Sequence, residues 1–436
     1  MIQTNNIKDM KKKLTYFAAV ALLLAACSSE EPIAPPMVEN DTMGANPYRV
    51  SLTDALKNAD ALLGELGEGE TTRSAERKVE SVEYYSRPGT RALGGDTLLY
   101  LVNYADDAGF ALLSADSRLR PIYAISDEGS MSFSDTTYNK GLAFFARGVE
   151  AELVGFPDNP LPFNPSDSSI YNPIIPDLGG TYIKSKVAPL LTPSVREWGQ
   201  GFPYNSQCFT IDGYQAVVGC AAVAVGQIMS YHSWPQSYNG ISFYWNSINN
   251  GGSYMNLAQF LRQLGNPENL NMTYGRGLIY DIGSSAYPER YIPTFANMGY
   301  FNPNNLQSFY SYAIKNYLDK ALLNETGGGP VLVNGYRKIS DNQDVSGHAW
   351  VIDGYIQYES KGSLVIGGYL LHDTLFHCVW GWDGQSNGYF WWDKYNSFSG
   401  NPIEKEDDDY PGNIPNTEDL LFNYDVKFMG GFVPNK

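Results

Sequence analysis

The sequence predicts an α+β protein rich in antiparallel sheet, and three observations predict it. Aromatic residues make up 14% of the chain, with 32 Tyr and 8 Trp beside 43 Gly, a mixture that suits twisted sheets and extended loops better than helical bundles. Apolar runs bounded by turn residues recur in both halves of the chain. Between them lies Val218 to Met229, small and apolar on nearly every side, the pattern of a helix buried within a core, and Ser233-Trp234-Pro235 stops it. An apolar fraction of 43% over 436 residues is enough for two or three folded domains.

Charge and the N-terminus bound the setting. A net charge of −17 repels phosphate backbones, so nucleic acid is excluded as a partner. Lys11-Lys12-Lys13 precedes an apolar stretch from Leu14 to Ala26, too short to remain as a membrane span. Leu24-Ala25-Ala26-Cys27-Ser28-Ser29 follows and resembles a bacterial lipoprotein signal. That resemblance implies export, with Cys27 carrying the lipid and residues 28–50, Pro-rich and acidic, serving as a solvated tether. The remaining cysteines, Cys208, Cys220 and Cys378, are odd in number, so at least one thiol is unpaired or bonded between molecules. With no Cys-x-x-Cys pair and only four histidines, no metal or organic cofactor is implied.

In order along the chain, Ser51 to Leu66 has a capping serine, helical spacing and a closing Gly67, which predict a helix, and a polar linker follows. Leu98–Tyr104, Gly109–Asp116 and Pro121–Ser126 read as a strand meander, Leu142–Leu153 as a helix, and the stretch to Gly180 as a Pro- and Asn-rich linker. This divides the chain into a signal (1–27), the tether, a first domain (51–160), a linker (161–186) and a second domain (187–436). In the second domain, helices are expected over Leu257–Leu264 and about Leu306–Leu323. Strands are expected at Pro330–Gly335, His348–Tyr355, Leu364–Leu371, Phe376–Trp382, Tyr389–Trp392 and Val426–Phe432.

Cys220 falls in the first turn of the buried helix, where unpaired N–H groups and the helix dipole favour a thiolate; the alternative is a small core hydrophobe. His348 falls on a strand that follows, on one face with Trp350 and Ile352. A Cys–His pair at a helix–sheet interface forms a thiolate–imidazolium that attacks a carbonyl and then protonates the leaving amine. Gly384-Gln385-Ser386-Asn387-Gly388 fits a serine-nucleophile pattern, but a strand follows it and no histidine lies beyond His377, so it reads as a turn.

Three blocks, Gly219-Cys220 through Pro235, Gly347-His348-Ala349-Trp350-Val351-Ile352-Asp353-Gly354 and His377-Cys378-Val379-Trp380-Gly381-Trp382-Asp383-Gly384, closely resemble those of the streptopain family of papain-like cysteine peptidases. Pro189-Leu190-Leu191-Thr192, Trp198-Gly199-Gln200 and Gly283-Ser284-Ser285-Ala286 fit as lesser blocks, and the strand meander resembles the family's inhibitory propeptide. The resemblance implies a papain-like catalytic domain in which a helical part carrying the cysteine packs on an antiparallel sheet carrying the histidine. It makes Cys220 the nucleophile, His348 the base and acid, and Trp380 an indole packed over the imidazole and its orienting contact. Where the family is expected to carry Asn before that tryptophan this chain has Val379, so a main-chain carbonyl near Trp380 or another side chain must orient His348. Gln200 and Gln215 compete as side-chain donor to the oxyanion. Trp382 reads as sheet core, His232, His372 and His377 as structural or surface residues, and Cys208 and Cys378 as inert or paired with each other.

The resulting expectation is an exported, lipid-anchored cysteine endopeptidase made as a zymogen, acting on protein or peptide substrates and inhibited by its own propeptide until cleavage in the linker. Two rivals remain: a surface lipoprotein of decayed activity that binds or adheres, and a papain-like amidase or transglutaminase.

Overall fold

The computed structural model describes residues 49–66, 77–86, 97–133, 181–276, 283–337, 346–360, 373–391 and 424–436, apart from 118, 127, 302 and 303, together with Val149 and the short pairs 365–366 and 369–370. The signal, the tether up to residue 48, nearly all of the helix expected at 142–153, the linker before Thr181, and His372 lie outside the described residues. From Pro47 onward the chain is one compact unit. Among the described residues no helix is long and apolar enough to cross a membrane.

Helix α1 (Leu52–Leu66) starts where expected because the Ser51 hydroxyl accepts the Asp54 N–H at 3.1 Å and donates to the Asp54 carboxylate at 2.7 Å. Ala55, Ala59 and Leu62, at helical spacing, are buried, and the helix lies against strands of the meander and a later strand. The strands β2 (Thr97–Tyr104), β3 (Phe110–Ser114) and β4 (Ile122–Ser126) are almost wholly buried, as their apolar runs require. A further strand, β1 (Val79–Ser86), pairs with β2 where the sequence reads as polar linker. Its charged residues sit on an exposed sheet edge, so apolar patterning carries no signal there.

Strand β5 (Thr181–Val187) is a second departure, since it occupies the last residues of the expected linker. Helices α2 (Cys220–His232), α3 (Tyr254–Leu264) and α4 (Tyr291–Asn297) then build the helical part, while α5 (Ser311–Leu322) packs Ile314 and Leu318 into the core shared with the N-terminal strands. The third expected helix starts late because residues 307–308 pair as a strand. The strands β6 (Val331–Arg337), β7 (Ser346–Ser360), β8 (Asp373–Val379), β9 (Gly388–Trp391) and β10 (Tyr424–Met429) complete the sheet. The strand expected over 364–371 is instead a separate pairing of 365–366 with 369–370.

The strands join in the order β1-β2-β3-β4-β9-β8-β7-β6-β10, with residues 307–308 beyond β10 and β5 on β7. Every strand pairing among the described residues is antiparallel. One edge of the long strand β7 is covered by β8, the other by β6 over its first half and β5 over its second. The N-terminal meander enters the sheet where β4 pairs with β9, Ser126 opposite Gly388 and Ile125 opposite Tyr389. A side chain at 388 would meet the Ile125 carbonyl at 2.4 Å, so only glycine allows that junction.

The sheet separates two cores. On one side Trp350, Ile352, Cys378, Trp380 and Phe390 pack in a single cluster with Leu101, Leu112 and Ile125 of the N-terminal strands. On the other, Leu332, Ala349, Val351, Val379 and Met429 pack with the buried face of α2 and with Phe260 and Leu261 of α3. Strand alternation along β7 assigns Ala349 and Val351 to the helix side and Trp350 and Ile352 to the other.

Candidate active site

Helix α2 is buried from Ala221 through Ser230, which explains its lack of an apolar stripe, and Cys220 opens it, partly exposed. Its first-turn N–H groups have no intrahelical acceptors, so the thiol sits at the donor-rich end. The chain leading in is clamped on both sides. Val218 N–H donates to Gln200 O at 2.9 Å and Val217 N–H to Gly275 O at 3.0 Å, while the Ser284 hydroxyl donates to Val217 O. Gly219 caps the helix at φ +91°, and a Cβ there would lie 2.4 Å from Met272 Cε and 2.8 Å from the Ser284 carbonyl oxygen. Gly219→Ala is therefore expected to destabilise the protein by about 2 kcal/mol or more, through both backbone strain and the clash, seen as a lowered denaturation midpoint.

His348 is 2% exposed and lies on β7 opposite Gly335 of β6. Its Nε2 is 3.0 Å from the carbonyl oxygen of Trp380. A carbonyl only accepts, so Nε2 carries a proton and the acid–base work of the ring falls to Nδ1. The ring is flanked by Trp350, 6.1 Å away and inclined 13°, and by Trp382, 6.4 Å away and inclined 28°.

Trp380 meets the imidazole through its main-chain oxygen. Its indole, fully buried, donates from Nε1 to Ser386 O at 2.9 Å and packs on Trp350 and Phe390. The indoles that flank the ring are those of Trp350 and Trp382, the latter packed against the same core as its sequence reading expects. Strand β8 ends at Val379, short of the expected Trp382. Val379 itself is buried in the helix-side core, on the other side of the sheet from Trp380.

The turn after β8 meets the cysteine helix and the histidine. Gly381 abuts α2, since a Cβ there would be 3.1 Å from Val223 Cγ1, one turn along from Cys220. The same turn supplies the oxygen that holds His348. It also meets the Trp198-Gly199-Gln200 block, where a Cβ on Gly199 would collide with the Asp383 carboxylate. Desolvation in this setting raises the Asp383 pKa above the ordinary carboxylate value.

The two glutamines differ in placement. Gln215 is exposed on a short hairpin, and its amide nitrogen donates to the carbonyls of Asn205, at 3.1 Å, and Cys208. Gln200 is partly buried and its main chain is bonded beside the cysteine. Gln227, within α2, is buried and donates to Val195 O at 3.0 Å, tying the helix to the segment ahead of Trp198.

His232 ends α2, about 18 Å along the helix from Cys220. Burial pushes its pKa down to about 4, and its Nδ1 lies 3.3 Å from the Tyr300 hydroxyl. His377 is buried with its Nδ1 2.6 Å from the Asp353 carboxylate. Cys208 packs against the helix-side core and Cys378 lies in the opposite one, and the two are not bridged. Sequence reasoning missed three polar anchors: Asp353 with His377, Ser284, and Asn387. Each had a signal: Asp353 and Ser284 lie in blocks that carry the family resemblance, and Asn387 in the Gly-bounded turn read at 384–388.

A thiol opening a core helix that packs on an antiparallel sheet, with a buried histidine on one strand of that sheet, is the arrangement of papain-like cysteine peptidases. Residues 198–390 match the Peptidase C10 family, and residues 48–153 match the Spi protease inhibitor family. The chain thus carries a Peptidase C10 domain, that of the streptopain family, behind a Spi-type inhibitor domain. It is 26% identical over 343 residues to streptopain of Streptococcus pyogenes, covering 70% of this chain and 77% of that protein. It is 24% identical over 329 residues to the thiol protease/hemagglutinin PrtT of Porphyromonas gingivalis, covering 68% of this chain but 34% of that protein. Among solved structures, a prointerpain A fragment of Prevotella intermedia aligns with TM-score 0.44 and 19% identity, over 80% of this chain and 98% of that one.

Proposed function

We propose that the protein is an exported cysteine endopeptidase made as a zymogen, with Cys220 as nucleophile and His348 as general base and acid. The observation that carries this reading is the bond from His348 Nε2 to Trp380 O, in a turn that also abuts the first turns of the cysteine helix. With Nε2 so held, Nδ1 takes the thiol proton, and the resulting imidazolium is stabilised by the same carbonyl. The thiolate attacks the scissile carbonyl, Nδ1 protonates the leaving amine, and water then hydrolyses the acyl-enzyme.

Gln200 is the better candidate for the side-chain oxyanion donor, because Gln215 already spends its amide on two carbonyls. Gln200→Ala is expected to lower kcat about 10²-fold with little change in KM, and Gln215→Ala to leave kcat within about twofold. The reverse order, measured on the processed protein with an unfolded protein as substrate, would exchange the two roles.

The Spi-type domain supports latency. Its strands share one sheet and one core with β7, β8 and β9, so cleavage alone leaves a large apolar interface to be separated. Cleavage is expected before Thr181, because β5 is hydrogen-bonded into the sheet. The lipid on Cys27 would hold the zymogen at the cell envelope, and processing would detach the catalytic domain. Mass spectrometry of the processed chain tests this: a new N-terminus within 181–187 contradicts it.

A further inference from the structure

We propose that Asn387 is the positioning residue for His348, acting through the Trp380 peptide. The proposal rests on the reading of Cys220 and His348 as the catalytic pair. The imidazole is held by a main-chain oxygen, and a main-chain oxygen is only as well placed as its peptide. Trp380 lies one residue beyond β8, outside the ladder that would orient it. The chain then turns back through Gly381, Asp383, Gly384 and Ser386, all at positive φ. Two successive turns, Gln385 N–H to Trp382 O and Asn387 N–H to Gly384 O, return Asn387 to Trp380.

There the Asn387 side chain makes two bonds, using its amide as acceptor and donor at once. Its Oδ1 accepts the Trp380 N–H at 3.0 Å, and its Nδ2 donates to Arg196 O at 3.0 Å. The first fixes the residue whose oxygen holds His348. The second ties that turn to the segment that runs directly into Trp198-Gly199-Gln200. Ser386 O adds a hold on the Trp380 indole, so the residue is anchored at both its N–H groups by the returning loop. The N-terminal domain touches the same residue at a different atom, the Ser126 hydroxyl donating to Asn387 O at 2.7 Å, which leaves both amide bonds intact.

Chemistry predicts the effect of each substitution. Leucine matches the size of asparagine but offers neither acceptor nor donor, so the Trp380 peptide loses its anchor and its oxygen holds the imidazolium less well. The thiolate–imidazolium pair then forms only at higher pH. Aspartate keeps the acceptor for Trp380 N–H, loses the bond to Arg196 O, and adds a negative charge that favours imidazolium.

The test uses the full chain with wild-type, Asn387→Leu and Asn387→Asp side chains. The rate of Cys220 alkylation by iodoacetamide is followed from pH 4 to 9 by peptide mass spectrometry, beside kcat and KM after self-processing. In Asn387→Leu the acid limb of alkylation is expected to move to higher pH by up to about one unit, with kcat down about tenfold and KM within about twofold. In Asn387→Asp the limb is expected to stay or move to lower pH. A folded leucine variant with the wild-type limb, or activity lost with the limb unmoved, overturns the positioning role. Should the leucine variant not fold, the aspartate variant decides, because an upward shift there contradicts the acceptor argument. A wild-type Cys220 that titrates as an ordinary thiol sinks the catalytic pair itself, an outcome distinct from failure of Asn387 alone.

Discussion

Cys220→Ala is expected to abolish both self-processing and hydrolysis of an unfolded protein, lowering kcat by roughly 10⁴-fold or more, while the zymogen remains folded. The substitution removes one sulfur atom at a partly exposed helix start and leaves the buried residues Ala221 to Ser230 in place, so the fold loses little. The other described thiols cannot substitute. Burial pushes the Cys208 pKa up to about 11, which keeps it protonated at neutral pH, and Cys378 is wholly buried in the sheet core. Cys208→Ala and Cys378→Ala are accordingly expected to retain processing. Gel analysis of the wild type and the three variants after expression reads all these outcomes. Activity surviving in Cys220→Ala would remove the nucleophile from the mechanism.

Asp353→Ala is expected to cost about 3–5 kcal/mol of stability, the largest loss available to a single polar change described above. The Asp353 carboxylate is completely buried and spends both oxygens, one 2.6 Å from His377 Nδ1 and one accepting the Leu191 N–H at 3.0 Å. Its own carbonyl accepts the Leu190 N–H at 2.9 Å. The residue sits at the irregularity in β7–β8 pairing between Ile352 and Gly354, where a Cβ on Gly354 would be 2.8 Å from Val187 O. Asp353 thus pins the chain entering the catalytic domain to the sheet. Alanine leaves a buried imidazole and a buried N–H without partners. Asparagine keeps one acceptor and should lose about half as much. Urea titration in the Cys220→Ala background, where processing cannot interfere, measures both. A cost under about 1 kcal/mol for alanine contradicts the anchoring role.

Much of this was legible because apolar patterning and cap chemistry are local. Ser51 with Asp54, the apolar run of α2, and the strands around Leu101, Leu112 and His348 each announce themselves within ten residues. What was not legible depends on tertiary pairing. Strand β1 is charged because it is an edge, and β5 is a strand only because the second half of β7 offers it a partner. At the site, residue types gave Cys220 and His348 as candidates, but not which tryptophan meets the ring. The replacement of an expected asparagine by Val379 reads as a defect in sequence. In the fold, Val379 faces the helix-side core, and the Trp380 main chain meets the imidazole. Val379→Asn is therefore expected to cost about 1–3 kcal/mol by burying an amide among apolar groups, without raising kcat.

The central claim is that Cys220 is activated by His348. Labelling with a thiol-directed epoxide at pH 6, followed by peptide mapping, tests it most directly in wild-type and His348→Ala chains. Cys220 is expected to be modified in the wild type and to lose that reactivity, by roughly a hundredfold or more in rate, when the imidazole is removed. Equal labelling of Cys220 in both chains, or labelling that falls on Cys208 instead, would contradict it.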